Sequence, residues 1–253
     1  MSGKSLLLTA LPDFPLVREG DDLAAHILRG CARASLSLKD GDILVLAQKI
    51  VSKAEGRLVH LSEVLPSAAA RELAARSEKD TRLCELILRE SREVLRVRPG
   101  LVIVEHRLGF VCANAGIDHS NVGGEETYLL LPENPDKSAD TIRRALEEAS
   151  GARLGVLIID SHGRAWREGT VGTTIGISGV PALIDERGWA DLFGYELRVT
   201  VLGAADELAA AASLMMGQAA EGTPVVHVRG FPYPLAEGRL QDILRPKEKD
   251  LFR

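Results

Sequence analysis

The sequence is poor in the features that usually classify a chain at sight. It has three cysteines, Cys31, Cys84 and Cys112, odd in number and far apart. They form neither a disulfide framework nor a CxxC metal pair, and they point to a reducing, cytoplasmic setting. No apolar run approaches the roughly 18 residues that a membrane span needs. Leu6, Leu7 and Leu8 are soon followed by Pro12 and Asp13, so the N-terminal stretch reads as a first strand rather than a secretory signal. Positive charge is not in excess: 31 Lys and Arg stand against 36 Asp and Glu, a net charge of −5. Such a chain is a poor candidate for sequence-independent nucleic-acid binding, which runs on neutralising phosphates, although a local basic patch is compatible with it. Aromatic residues are only 4%, which leaves Leu, Val, Ile and Ala to fill the core. The familiar nucleotide signatures are missing too, with no GxxxxGK[ST] and no GxGxxG after a strand.

What is present describes an ordinary globular chain. With 253 residues and 45% hydrophobic content, one or two domains with a sizeable core are expected. Gly20-Asp21-Asp22 before Leu23, Ala24, Ile27 and Leu28 reads as a cap followed by a helix. Residues 43–47 read as a buried strand, and so do residues 154–159, which stop at Asp160. Helical spacing runs from Ser67 to Leu95. Residues 101–104 and 110–113 read as a hairpin, and residues 114–124 as a polar loop. Pro132 to Asp136 reads as a turn. Residues 139–150 and 206–216 read as helices, and residues 197–202 and 225–228 as strands. The tail from Glu237 to residue 253 is charged, and frayed or helical. Strands and helices mix without strict βαβ alternation, so the expected class is α+β, with largely antiparallel sheets and packed helices. If there are two lobes, a break falls near residues 80–100.

Chemistry concentrates at loop and strand ends. Asp118 lies in a glycine-containing loop, and Asp160 ends a buried strand. A carboxylate at the mouth of a rigid strand suits a metal or phosphate site, and hard oxygen ligands suit Mg²⁺ or Mn²⁺. The plainer alternative is that each Asp caps a turn or helix. His119 and His162 stand one and two residues from these carboxylates, as metal ligands or as solvated loop residues. Asp160, Ser161 and His162 are too close along an extended chain to form a triad among themselves. Lys49 and Lys53 share a face of either a helix or a strand, fit for polyphosphate or merely solvated. Arg164 and Arg167 flank Trp166 and add positive charge near Asp160, while the Trp packs. Gly169, Gly172, Gly176 and Gly179 form a loose series, fit for tight turns, close backbone packing or phosphate binding. Gln218 after a helix end is a polar contact.

Six segments in one order carry a resemblance: FPLVREGDD (14–22), VSKAEGR (51–57), NAGIDHSN (114–121), IDSHGR (159–164), GISGV (176–180) and LMMGQ (214–218). Together they resemble the coenzyme F420-0:L-glutamate ligase family over roughly residues 6 to 234. The resemblance implies a GTP-dependent amide ligase with two intertwined lobes, acting as a homodimer. Its substrates would be GTP, coenzyme F420-0 and L-glutamate, with Mg²⁺ or Mn²⁺ and with K⁺ assisting. Asp118 and Asp160 match the family's metal-binding carboxylates, with Ser161 at the adjoining metal position. Asp13, Phe14, Pro15, Leu16, Lys53 and Asn121 match nucleotide contacts. Gln48 and Lys49 occupy a further nucleotide position, where some members carry Ser-Thr. Gln218 falls in the segment that reaches nucleotide and metal. His119 and His162 receive no role, because smaller or amide residues also occur there. The length is about that of the ligase module alone, so no fused second enzyme is expected.

That chemistry suits the residues. A carboxylate and an amine do not condense in water, and phosphorylating the carboxylate makes an acyl phosphate that an amine can attack. The transfer needs charge neutralisation and alignment more than a protein nucleophile. Asp118 and Asp160 would carry catalysis through metal, with Lys53 as a point charge on the phosphates. The alternatives are a metal-dependent phosphohydrolase using the same carboxylates and a non-catalytic nucleotide-binding protein on the same fold. A relative with a different acid acceptor is a further alternative.

Overall fold

Ile43 to Leu46 are fully buried, so the strand they form is covered on both faces. Such a strand belongs inside a sheet with helices on each side. The structure is a computed structural model that describes residues 4–251. Its first half comprises Leu7–Ala10 (β1), Leu23–Arg33 (α1), Ile43–Ala47 (β2), Gln48–Ala54 (α2), Leu58–His60 (β3), Ala68–Ser77 (α3), Thr81–Arg89 (α4), Ser91–Arg98 (β4), Leu101–His106 (β5) and Val111–Ala113 (β6). Its second half comprises Thr127–Leu129 (β7), Pro135–Ser150 (α5), Gly155–Arg164 (β8), Arg167–Ser178 (β9), Ile184–Asp185 (β10), Val201–Leu202 (β11), Ala204–Met216 (α6), Val225–Arg229 (β12) and Leu240–Ile243 (α7).

The fold is mixed α+β with largely antiparallel sheets, as expected. A five-stranded sheet has the order β1-β12-β2-β8-β9. Its one parallel pair is β2 with β8, in register from Ile43 opposite Gly155 to Ala47 opposite Ile159. Side chains alternate between faces along each strand. Leu44, Leu46, Val156 and Ile158 therefore enter one core with Ile27 of α1 and Ile142 and Leu146 of α5. Ile43, Val45, Leu157 and Ile159 enter the other with Leu208, Ala209 and Ala212 of α6. The glycine series serves close packing in two places. A side chain at Gly172 would strike the Ala209 carbonyl at 2.5 Å, and one at Gly176 the Pro135 carbonyl at 2.6 Å. A second sheet, β4-β5-β6, packs beside α3 and α4.

Several elements differ from expectation. The helical run from Ser67 to Leu95 is two helices and a strand. Asp80 caps α4 by accepting from the Arg82 N–H, and Val94 and Leu95 belong to β4, paired with β5 through two register shifts. Helix α5 begins at Pro135 inside the expected turn, because Asn134 caps it and proline at its first position needs no donor. Strand β8 does not stop at Asp160. It continues to Arg164 because β9 keeps pairing with it. The expected strand 197–202 shrinks to β11, because its partner β10 is only two residues long. Part of the charged tail is helical, in α7 and in a 3₁₀ turn at Lys247–Lys249, and residues 252 and 253 lie outside the described residues.

A buried ion cluster joins the second sheet to the segment before α5. Glu90 accepts from Arg57 at 3.0 Å and from Arg107 at 2.8 Å, and its Oε2 lies 3.6 Å from His106 Nε2. Arg57 also donates to the Leu131 carbonyl, and Arg107 to those of Pro132 and Glu133. Burial alone would raise the Glu90 pKa, but His106, Arg107 and Arg57 outweigh it and lower it to about 2. A carboxylate that ionises more readily when folded stabilises the fold above its ordinary pKa of 4.5, and that contribution disappears as pH falls toward 2. Glu90→Gln is expected to cost about 3 kcal/mol at pH 7 in urea unfolding and to flatten the loss of stability between pH 4.5 and 2. An unchanged acid limb would show that the cluster does not act this way.

Candidate functional site

Parallel pairing brings two strand ends to the same edge. Gln48 follows Ala47, Asp160 follows Ile159, and Ala47 pairs with Ile159. Ligands of open sheets bind at such carboxyl edges. The chain turns straight from β2 into α2, which makes Lys49 and Lys53 one helical turn apart on one face. In β8 a register shift between Ile158 and Ile159 immediately precedes Asp160. Bulges of this kind re-aim the side chains beside them.

Asp118 reaches the same edge from the segment that follows β6. After β6 the chain makes a left-handed turn, with φ of 50°, 55° and 63° at Asn114, Ala115 and Gly116. Asn114 accepts from the Val102 N–H, and the Asp118 backbone is pinned to Leu129 by a hydrogen bond in each direction. Gln48 Nε2 donates to Asp118 Oδ2 at 2.7 Å, and Lys49 Nζ lies 3.5 Å from the same oxygen. Gln48 is itself buried and oriented by Ser52, which donates to its Oε1 at 2.9 Å. Desolvation and the negative charge of Asp160 together raise the Asp118 pKa to about 6, against the pull of Lys49 and Gln48. The two expected carboxylates therefore repel one another across the site.

Beside Asp160 lies a cavity of about 390 Å³, lined by Phe14, Pro15, Leu16, Gln48, Lys49, Lys53, Asn121, Asp160, Ser161 and Gln218 among others, whereas Asp118 is not part of the lining and adjoins it through Gln48 and Lys49. Ser161 Oγ donates to Gln218 Oε1 at 2.8 Å, joining β8 to the loop after α6. Lys49 donates to the Ser120 carbonyl and hydroxyl, and Lys53 to the Asn121 carbonyl at 2.6 Å. Burial and the charge of Lys49 lower the Lys53 pKa. The Asn121 side chain donates to the Ala219 carbonyl at 2.9 Å, tying two loops together at the cavity.

The sequence singles out most of this wall, but not all of it. Asp13 is absent from the cavity lining, whereas the next three residues belong to it. The segment from Ala219 to Pro224 lines it beyond Gln218, with no signal in the sequence other than its nearness to Gln218. His119 turns aside, donating to the Thr127 carbonyl and stacking on Tyr128 at 4.9 Å. His162 instead meets Asp160, with Nε2 3.0 Å from Oδ2. Arg164 and Arg167 pair at the far tip of the β8–β9 hairpin, and Trp166 there is 87% exposed.

Among the described residues no cluster of three His, Cys, Asp or Glu side chains surrounds a metal position. The donor set is two carboxylates with a serine and a glutamine oxygen. That suits a hard cation such as Mg²⁺ or Mn²⁺, which binds through one or two carboxylates while water and phosphate complete its shell. Burial and, after it, the charge of Asp160 raise Asp118, and a cation there would offset both.

Fold and site together define an α+β protein with a paired-carboxylate, lysine-flanked cleft at a sheet's carboxyl edge. Residues 13–230 match the F420-0:Gamma-glutamyl ligase family, and the chain belongs to it. It is 47% identical over 248 residues to the coenzyme F420:L-glutamate ligase of Methanothermobacter thermautotrophicus, covering 97% of this chain and 98% of that protein. It is 48% identical over 241 residues to the protein of that name from Methanopyrus kandleri, covering 94% and 93%. The match to the one from Archaeoglobus fulgidus is 48% over 240 residues, again covering 94% and 93%.

Removing one of the repelling charges should relieve the metal-free protein. Asp118→Asn is expected to raise its melting temperature at pH 7.5 by a few degrees, equivalent to roughly 1–3 kcal/mol. A lower melting temperature would mean that the bonds from Gln48 and Lys49 outweigh the repulsion.

Proposed function

We propose that this chain is a GTP-dependent ligase that joins the amine of L-glutamate to the terminal carboxylate of coenzyme F420-0, and that the same chemistry serves any further γ-linked glutamates. The observation that supports it most is a cavity lined by Asp160, Lys49 and Lys53, with Asp118 held just behind it by Gln48 and Lys49. This arrangement suits phosphoryl transfer, where alignment and charge neutralisation matter more than a nucleophilic side chain. The names of the relatives point the same way. The chain works as a single module in a cytoplasmic setting, with one carboxylate on β8 and the other on the segment that follows β6.

Asp118, Asp160, Ser161 and Gln218 would hold Mg²⁺ or Mn²⁺, which supplies neutralisation of phosphate charge. Lys49 and Lys53 place their ammonium groups toward the phosphates. Phe14, Pro15 and Leu16 cover one side of the nucleotide, and Asn121 and the segment after Gln218 cover another. An oxygen of the F420-0 carboxylate attacks the γ-phosphorus, the bond to the GDP oxygen breaks, and an acyl phosphate forms. The glutamate amine attacks its carbonyl carbon, inorganic phosphate leaves, and the amine loses a proton. No side chain of the protein is bonded covalently along this route. The described residues single out no K⁺ position, so K⁺ is left as an activator without assigned ligands.

Mass spectrometry of F420-0 incubated with GTP, Mg²⁺, glutamate and the protein is expected to show the gain of a glutamyl unit. GTP consumption should require both acceptors. Rapid GTP hydrolysis without either would favour a phosphohydrolase. Asp160→Asn should lose nearly all turnover, at least about 100-fold, while folding normally. Function that survives this change would favour a non-catalytic nucleotide-binding role.

The homodimer belongs to the same proposal, and an exposed apolar excursion supports it. The excursion between β10 and β11 exposes Trp189, Leu192, Phe193, Tyr195 and Val199, with Leu192 and Phe193 at least 95% exposed. Apolar surface of this density is typical of an interaction face. Sedimentation should give a dimer for the native chain and a monomer for the double change Leu192→Asp and Phe193→Asp. A native monomer would remove this part of the proposal.

A further inference from the structure

His162 receives no role on sequence grounds, yet its ring meets the Asp160 carboxylate. The two residues are two apart in β8, so their side chains leave the strand on the same face. The Nε2–Oδ2 distance is 3.0 Å, and both side chains are only 12% exposed. An ionised carboxylate can only accept, so Nε2 carries the hydrogen. Oδ1 of Asp160 accepts no hydrogen bond from the described side chains or backbone, which leaves that oxygen for another partner.

The imidazole is itself held from behind. Its ring lies against Phe110, with centroids 5.3 Å apart and planes tilted by 43°. Phe110 stacks on His106 at 5.1 Å, within 5° of parallel. His106 is fully buried. Its Nδ1 accepts from the Leu108 N–H, so its own hydrogen sits on Nε2 and faces Glu90. Glu90 is fixed in turn by Arg57 and Arg107. A three-ring stack therefore runs from the buried ion cluster of the second sheet to a carboxylate on the first.

We propose that His162 is a positioning residue for Asp160: its Nε2–H holds Oδ2, and the Phe110–His106 stack fixes the ring, so that Oδ1 is presented in one orientation to a divalent cation. This rests on the metal-binding role given above to Asp160. Groups that orient a ligating carboxylate act on metal affinity even though they do not touch the metal.

The test is Mn²⁺ binding to the nucleotide-free protein, followed by the loss of the free-ion electron paramagnetic resonance signal. It requires neither GTP nor F420-0. His162→Leu keeps the bulk and removes the donor, and should weaken Mn²⁺ binding by roughly 10–100-fold. His162→Gln restores an N–H donor and should recover most of that loss at a similar melting temperature. Phe110→Leu keeps the donor but frees the ring, and should fall between them. Wild-type affinity in His162→Leu would overturn the inference and leave the metal role standing. A His162→Gln variant as weak as His162→Leu would also overturn it, by showing that ring packing alone matters. A wild-type protein that binds no Mn²⁺ would overturn the metal role, and this inference with it.

Discussion

Asp118 and Asp160 are held at one sheet edge, where burial and the neighbouring Asp160 disfavour the charge of Asp118, and much of the molecule is arranged around keeping them there. Asp160 is carried by the parallel pair at the centre of the large sheet. Asp118 is carried by a left-handed turn leaving the small one. Neither position relaxes easily, because the first is locked by strand register and the second by reciprocal backbone bonds to Leu129. The cost appears as the raised pKa of Asp118. Strained or mutually repelling groups persist only where the surrounding structure over-determines them, and they cluster where chemistry is done.

The lysines complete this electrostatic arrangement without cancelling it. Lys49 is near enough to Asp118 to soften its charge, while Lys53 is partly desolvated and beside a like charge. Both ammonium groups also bond to the loop at Ser120 and Asn121, so an incoming anion meets cations already held in place. The overall charge of −5 therefore says little about the partners of this cleft, whose local field is set by a few fixed side chains.

Much of this arrangement is legible in the order of the amino acids, and the exceptions have physical causes. Asp22 as a cap, the buried run of Ile43 to Leu46 and the face shared by Lys49 and Lys53 are local properties, and local patterns report them well. Residues 114–121 and 159–164 also display their carboxylates openly. Val94 and Leu95 mislead because they continue the apolar spacing of α4 into a strand, and the true break is the helix end at Glu90. The strand expected at residues 197–202 shortens for a different reason, since pairing depends on a partner that its own sequence cannot describe. The contact of Gln48 with Asp118 spans 70 positions, and the stack of His162, Phe110 and His106 joins two sheets. No periodicity reports such meetings.

The bond from the Asn121 side chain to the Ala219 carbonyl joins segments 98 positions apart by a single neutral contact. A contact of that kind is worth about 1 kcal/mol net, so it breaks and re-forms on the nanosecond-to-microsecond scale of loop motion. Of the ties on this loop among the described residues, those from Lys49 and Lys53 hold it to α2, and this one alone carries it across to the segment after α6.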